Sequence, residues 1–337
     1  MITNPNNYND KLDIKGLDNS LLNDMLRKML TIRLAEEKIS ENVKSGKIKC
    51  PCHLGIGQEA IGTAVALLMR KTDKAFGAHR SHTHFLALNE DTYSLFAEVL
   101  GKYDGSSKGM GGSMHVVDND NGFMGSVPIV GTTIPIATGA GLASKMDGKK
   151  NIAISYFGDG ACEEGVFHES LNMASVMNLP VLYVCENNLF SSHLHISLRQ
   201  PSVSTARFAE SHKINNISVD GNDVVSLYKL LKSEIKRIRQ DSSPFFLEAY
   251  TYRWKGHVGH RDDMDVGVKR TDDLLAWKKR DPISRLKDSM IKENVISNNE
   301  YESLINKLKE KINNDWAKAE QADYPKLDFL TFPVYSK

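Results

Sequence analysis

The sequence predicts an α/β fold, a parallel sheet flanked by helices with a C-terminal helical extension. Three observations lead there. The apolar run Ile152 to Phe157 enters a Gly158-Asp159-Gly160 turn, a helical stretch follows, and a second apolar run, Val181 to Cys185, ends in Glu186-Asn187-Asn188. Short apolar runs joined through a helix make a strand–helix–strand unit of the parallel kind. Two further strand-like runs, Ile217 to Val219 and Phe245 to Trp254, bracket an amphipathic segment, Val224 to Arg239. Last, Ser297 to Ala322 reads as a long amphipathic helix behind the polar start Ser297-Asn298-Asn299-Glu300, a helix N-terminus signature. Open α/β sheets bind ligands beyond the carboxyl ends of their strands, so Asp159 and Asn188 are expected to face each other across a small gap.

The totals exclude several classes. At 337 residues, 41% hydrophobic and 25% charged, the chain can bury a substantial core. Lys plus Arg (43) nearly balance Asp plus Glu (42), so no global field favours nucleic acid or an anionic membrane. No apolar run approaches the ~18 residues of a membrane span. The polar, Asn-rich start resembles neither a secretory signal nor a transit peptide, and a cytoplasmic location is expected. Four cysteines, Cys50, Cys52, Cys162 and Cys185, give no disulfide framework. Cys50-Pro51-Cys52-His53 lacks the separated second pair of a zinc site and is expected to be reduced and structural.

In chain order, residues 1–19 read as an arm and Ser20 to Ser45 as a helix with apolar residues at three- and four-residue spacing. A second helix is expected over Gln58 to Arg70, and its small residues suit close packing. The stretch FGAHRSHTHFLALN is expected to be a loop at a sheet end, carrying His79, Arg80, His82 and His84. Anion contact through Arg80, zinc binding and a merely solvated loop all remain open for it. A helix over 91–100 leads to the glycine-rich segment 101–126, where His115 is the titratable candidate and backbone can approach a ligand closely. Val127-Pro128-Ile129-Val130 precedes a helix from Gly131 to Met146. After Asn188, a polar stretch with His193 and His195 is expected to form a partly mobile loop at the mouth of the site. Asp223 is a plausible N-cap, and His257 and His260 follow the last strand. A charged connection, 261–280, ends at Asp281-Pro282, which closes one helix and opens another; the tail from Pro325 reads as extended.

Chemically, an Asp and an Asn at adjacent strand ends supply two hard oxygen ligands, the kind Mg²⁺ takes together with phosphate oxygens and water. Gly160 and Ala161 are expected to start a helix whose N–H groups can meet a diphosphate.

These residues carry a resemblance. The chain resembles the alpha subunit of the thiamine-diphosphate-dependent component of 2-oxo acid dehydrogenase complexes, such as those acting on pyruvate, branched-chain oxo acids and acetoin. It runs from about Leu21 to Pro282 through the ordered motifs HLGIGQEA, the His79-Arg80 pair, KGMGGSMH, GDG…ENN and TYRWKGH. The resemblance implies an N-terminal arm (1–20), a domain binding diphosphate and Mg²⁺ (21–282) and a C-terminal helical extension with tail (283–337). It implies that Asp159, Asn188 and the main-chain carbonyl of Phe190 bind Mg²⁺. His79 (usually Tyr in the family), Arg80, Gly160, Ala161 and His257 would contact the diphosphate or its edge of the site, and Val130 would lie near the bend of thiamine diphosphate. His82 and His257 are the implied catalytic residues, for proton handling and the substrate carboxylate. A beta-type subunit, in an assembly of two alpha and two beta chains, would supply the glutamate that activates the aminopyrimidine. The substrate would be a small 2-oxo acid and the acyl acceptor a lipoyl carrier protein. One stretch departs from the family: where Ser-x-Ser-Asp-Pro/Asp is usual, this chain has Val258-Gly259-His260-Arg261-Asp262-Asp263. The same cofactor serving decarboxylation or carboligation without a lipoyl acceptor, or an acetoin-type substrate, is the alternative expectation; an inert subunit that keeps the fold is the non-catalytic one.

Overall fold

Both faces of the central strands are apolar, and this decides the architecture. The structure, a computed structural model, describes residues 2–263 and 270–331. Residues 264–269 of the expected charged connection and 332–337 of the tail lie outside the described residues. A long helix, α1 (Asn19–Lys44), leads through α2 (Glu59–Ala66), β1 (Lys74–Gly77), α3 (His82–Asn89) and α4 (Thr92–Val99) to β2 (Phe123–Ser126) and α5 (Thr133–Asp147). The central unit is β3 (Ala153–Gly158), α6 (Gly165–Val176) and β4 (Val181–Asn187). Beyond it lie a two-stranded hairpin, β5 (Phe190–Ser191) with β6 (Leu194–His195), then α7 (Ala206–Ser211), β7 (Asn215–Asp220), α8 (Val224–Asp241) and β8 (Phe245–Tyr250). Helices α9 (Thr271–Lys278), α10 (Pro282–Lys292) and α11 (Asn298–Gln321) complete the described chain.

The sheet runs β2-β1-β3-β4-β8-β7, parallel throughout. Along β3 and β4 the side chains alternate between two buried clusters. Ile154, Tyr156, Leu182 and Val184 join α1, α2, α8, α10 and α11 on one face. Ala153, Phe157, Val181, Tyr183 and Cys185 meet residues of α5, α6 and α7 on the other. A parallel sheet covered on both faces needs such continuous apolar strands. The expected α/β class is therefore borne out, with the C-terminal helices packed on the same core through Ile283, Leu286, Ile312 and Trp316.

Local chemistry fixes the helix ends. Asp223 caps α8 by accepting from Val225 and Ser226 N–H, and Asp281 caps α10 with Pro282 in its first turn. A capping box between Ser297 and Glu300 opens α11, satisfying N–H groups that have no partner within the helix. The glycine-rich segment has an organising centre the sequence did not announce. The buried Glu98 carboxylate accepts four main-chain N–H bonds, from Ser107, Gly109, Gly111 and Gly112, at 2.7–3.0 Å.

Four expectations change. The tail from Pro325 is not extended throughout, because Leu327–Leu330 form a 3₁₀ turn. The stretch carrying His79 to His84 is not all loop, because α3 begins at His82. Gly160 and Ala161 lie in a 3₁₀ turn, Asp159–Glu163, and α6 starts only at Gly165. The segment after Asn188 is not a featureless loop: it holds the hairpin, a 3₁₀ turn at Ile196–Leu198 and α7.

Candidate active site

Strands β3 and β4 pair in register from Ala153↔Val181 to Gly158↔Glu186, so the Asp159 turn and Asn188 leave the sheet side by side. A cleft of about 200 Å³ opens there. Of the residues expected to form the site, His79, Arg80, Val130, Asp159, Gly160, Ala161, Asn188, Phe190 and His257 all line it. His82 does not. It is wholly buried, with Nε2 2.8 Å from Ser113 Oγ and Nδ1 3.4 Å from Glu36 Oε1. His115 is exposed, and neither it nor His260 is among the lining residues.

The floor is polar and carboxylate-bearing. Asp159 is 1% exposed. Its Oδ2 accepts from Arg199 Nη2, while Oδ1 is buried without a hydrogen-bond partner. A buried oxygen left without a donor costs about 1–3 kcal/mol, so a ligand that meets Oδ1 recovers that cost. Opposite it, Asn188 donates to Gln58 Oε1 and accepts from Phe190 N, both at 3.2 Å, which leaves further acceptor capacity on its amide oxygen. The donor set therefore fits a hard cation: an unpartnered carboxylate oxygen and an amide oxygen, in a cleft that Phe190 also lines. Gly160 is required here, since a Cβ would come 2.6 Å from Ser191 Oγ. At Gly158 a Cβ would meet nothing within 4 Å, for it borders the open cleft.

The rim has the opposite character. The buried Arg80 guanidinium donates to Leu54 O at 2.7 Å and to His257 O at 3.2 Å. Burial, then the Arg253 charge, lowers its pKa to about 9. His53, His79 and His257 cluster beside it, with ring centroids 4.6, 4.9 and 5.4 Å apart. Burial first and the Arg80 charge second depress these imidazoles, His53 to about 3 and His257 to about 4. Their nitrogens lie within 4.8 Å of one another, close enough for a metal. Yet burial keeps the rings neutral, and the Arg80 guanidinium that adds to this would repel a cation just as it repels the proton, so this rim favours an anion. The zinc alternative for His79, His82 and His84 fails on geometry, because His82 lies outside the cleft and both His84 nitrogens are engaged, with Ser81 Oγ and Glu186 Oε1 at 3.2 and 3.1 Å.

The departing stretch 258–263 forms a closed turn. Gly256 N–H donates to Arg261 O at 2.6 Å, and Asp263 Oδ2 accepts His257 N–H at 2.7 Å and Arg253 Nη1 at 3.1 Å. Asp263 thus holds the His257 main chain, and Arg253 reaches across to Ser192 O at 2.6 Å. Gln58, His84, Tyr156 and Glu186 also line the cleft, with His84 stacked on Tyr156 at 3.8 Å. Sequence reading had not singled out Gln58, Tyr156 or Glu186 for the site; the one available signal was their position inside motifs, Gln58 in HLGIGQEA and Glu186 directly before the Asn pair.

Comparison with known proteins settles the kinship. A family model described as dehydrogenase E1 component matches residues 27–328. The chain belongs to that family. The alpha subunit of acetoin:2,6-dichlorophenolindophenol oxidoreductase from Bacillus subtilis is 34% identical over 311 residues, 92% of each chain. The pyruvate dehydrogenase E1 component subunit alpha of Rickettsia bellii is 33% identical over 307 residues, covering 91% of this chain and 93% of its own. The acetoin oxidoreductase alpha subunit of Cupriavidus necator is 32% identical, with 95% of both chains covered. For this E1 chain, no helix among the described residues is long and apolar enough to cross a membrane.

The histidine rim makes a pH prediction. Folding depresses the His257 pKa from 6.5 to about 4, so between these values the unfolded chain binds more protons than the folded one. The stability contribution is complete above pH 6.5 and is lost as pH falls towards 4. We expect His257→Gln to flatten the decline in melting temperature between pH 7 and pH 5. Parallel wild-type and variant melting curves across that range check it, and identical slopes would show that His257 is not held neutral.

Proposed function

We propose that this chain is the alpha subunit of a thiamine-diphosphate- and Mg²⁺-dependent 2-oxo acid dehydrogenase. It works in the cytoplasm with a beta-type chain, two of each, decarboxylates a 2-oxo acid and passes the acyl group to a lipoyl carrier protein. The observation that carries the reading is the unpartnered, buried Asp159 Oδ1, in a cleft lined also by Asn188, the Arg80 guanidinium and neutral imidazoles. That is an arrangement for a cation and an anion bound together, as a magnesium diphosphate is. The alpha-subunit names of the relatives support it.

In this reading Asp159, Asn188 and the Phe190 carbonyl hold Mg²⁺. Arg80, with His79, His257 and the turn at Gly160 and Ala161, would receive the diphosphate, and Val130, which lines the same cleft, would contact the cofactor. When bound, thiamine diphosphate supplies the carbanion chemistry that decarboxylation needs. The protein orients, and it manages protons. A neutral His257, fixed through its own N–H on Asp263, can accept a proton at its ring or hydrogen-bond a carboxylate at neutral pH. His82, buried between Ser113 and Glu36, serves the site through those contacts and the glycine-rich segment rather than by touching substrate.

A second reading is favoured by one observation. The turn 258–263 is closed on Asp263 and lacks the serines expected there, which suits an acetoin-type substrate or a decarboxylation or carboligation without a lipoyl acceptor. The test is dichlorophenolindophenol reduction by the chain co-expressed with its beta-type partner, on pyruvate, branched-chain 2-oxo acids and acetoin. Dye reduction with a 2-oxo acid is expected. Reduction with acetoin alone, or product without any acceptor, selects the second reading. No cofactor-dependent turnover on any of them sinks both.

A further inference from the structure

The Asp159 carboxylate is held from behind, by residues that no motif singled out. Arg199 donates through Nη2 to Asp159 Oδ2 and through Nη1 to Glu163 Oε1. Its Nε donates to Leu194 O at 3.1 Å, and its side chain is 6% exposed. Gln200 reinforces the arrangement, donating to Glu163 Oε1 at 2.8 Å and to Asp159 O at 3.4 Å, while its own oxygen accepts from Arg207 at 3.0 Å. The two ends of the 3₁₀ turn are thus gripped by one guanidinium and one amide from the segment after β6.

The side from which Arg199 approaches matters. Asp159, Gly160 and Ala161 line the cleft, and Arg199, Glu163 and Gln200 do not. The guanidinium therefore occupies the far side of the carboxylate instead of the space a cation would take. It leaves Oδ1, the atom without a partner, as the free oxygen. We infer that Arg199 is a positioning residue for the metal site, holding Asp159 so that it offers a single oxygen. This rests on the metal reading above.

The consequence is selectivity. Mg²⁺ demands near-ideal octahedral geometry, whereas Ca²⁺ accepts two-oxygen carboxylates in a looser, larger shell. A carboxylate pinned through one oxygen suits the smaller ion. Partners of this outer kind typically contribute 10- to 100-fold in metal affinity. Only a planar fork reaches Asp159 and Glu163 together, so lysine at this position keeps the charge and loses the bridge.

The experiment measures Mn²⁺ binding by electron paramagnetic resonance, with Ca²⁺ competition. It uses the chain assembled with its beta-type partner in the presence of thiamine diphosphate. Arg199→Lys is expected to raise the Mn²⁺ dissociation constant about ten-fold while the Ca²⁺ constant rises less, narrowing the discrimination between the two ions. Glu163→Gln, at a partly exposed side chain that folding tolerates, is expected to do the same more weakly. Asp159→Asn is the reference. If Asp159→Asn loses Mn²⁺ but both clamp variants bind it like wild type, or lose both ions equally, Arg199 is no positioning residue. If Asp159→Asn itself binds Mn²⁺ normally, the metal assignment falls and this inference falls with it.

Discussion

Asp159→Asn is expected to lower cofactor-dependent turnover of the assembled enzyme by at least about 10³-fold, a barrier increase of roughly 4 kcal/mol, without unfolding the chain. The substitution keeps the shape of a side chain that is almost fully buried and removes its charge. Burial already pushes this carboxyl above the usual range against the pull of Arg199, so the apo fold gains little from its ionisation. Arg199 retains Glu163 as a partner, so no lone buried cation is created, the usual cause of severe loss. The separation between fold and site is measurable by melting. A ligand that binds only the native state at a hundred times its dissociation constant stabilises by about 2.7 kcal/mol. Mg²⁺ with thiamine diphosphate should therefore raise the melting temperature of the wild-type assembly and leave the Asp159→Asn assembly unmoved. An equal rise in both would remove Asp159 from the metal site, and retained turnover would do the same.

How far the sequence reached depended on how local the signal was. Strands β3, β4 and β8 were legible because burial on both faces writes continuous apolar runs. Helices α8, α10 and α11 were legible because caps and periodicity are local. Strands β1 and β2 were not: each is four residues long, and the second is Phe-Met-Gly-Ser inside a glycine-rich stretch. Helix α3 reads as loop because polar His82 and His84 suggest an exposed stretch, whereas the fold buries both, pairing His82 Nε2 with Ser113 and His84 with Ser81 and Glu186. The start of α6 was misplaced for a comparable reason. GDGACEEG contains two possible beginnings, and the chain forms a 3₁₀ turn at the first and α6 at the second.

The candidate site divides along the same line. Asp159 and Asn188 were readable because a strand–helix–strand unit puts its two carboxyl-end turns together by topology alone. The neutral state of His257 was not, since it arises first from burial in the folded cleft and then from the charge of Arg80, 177 residues earlier in sequence. Nor was Arg199, whose partners lie 36 and 40 residues earlier. A sequence motif names the atoms that meet the ligand. It says nothing of those that hold them from behind, and these set geometry and charge.

Glu248 is where that support is deepest, and Glu248→Gln is expected to destabilise the chain by on the order of 4 kcal/mol. This buried carboxylate on β8 accepts six hydrogen bonds. Oε1 receives Asn187 Nδ2, Thr205 N and Thr205 Oγ1 at 2.7–2.8 Å. Oε2 receives Ser204 Oγ, Ser218 Oγ and Ala206 N at 2.6–3.3 Å. It thereby joins β4, β7 and the segment leading into α7 at one point. Glutamine fills the same volume but replaces one acceptor oxygen with an N–H₂. The hydroxyls can turn to accept from it, but a main-chain N–H, that of Thr205 or Ala206, loses its acceptor at about 1–3 kcal/mol. The remaining bonds change from charge-assisted to neutral, about half as strong. At roughly 2 °C per kcal/mol for a chain of this size, the melting temperature should fall by about 8 °C. Because the volume is conserved, a cavity cannot account for such a fall, and a melting temperature within a degree of wild type would show that the network is dispensable. The effect should also reach the cleft. Asn187 precedes Asn188, and the segment released from Glu248 begins four residues after Gln200. The folded fraction of Glu248→Gln is therefore expected to bind Mn²⁺ more weakly than wild type, as a site does when the frame behind its ligands loosens.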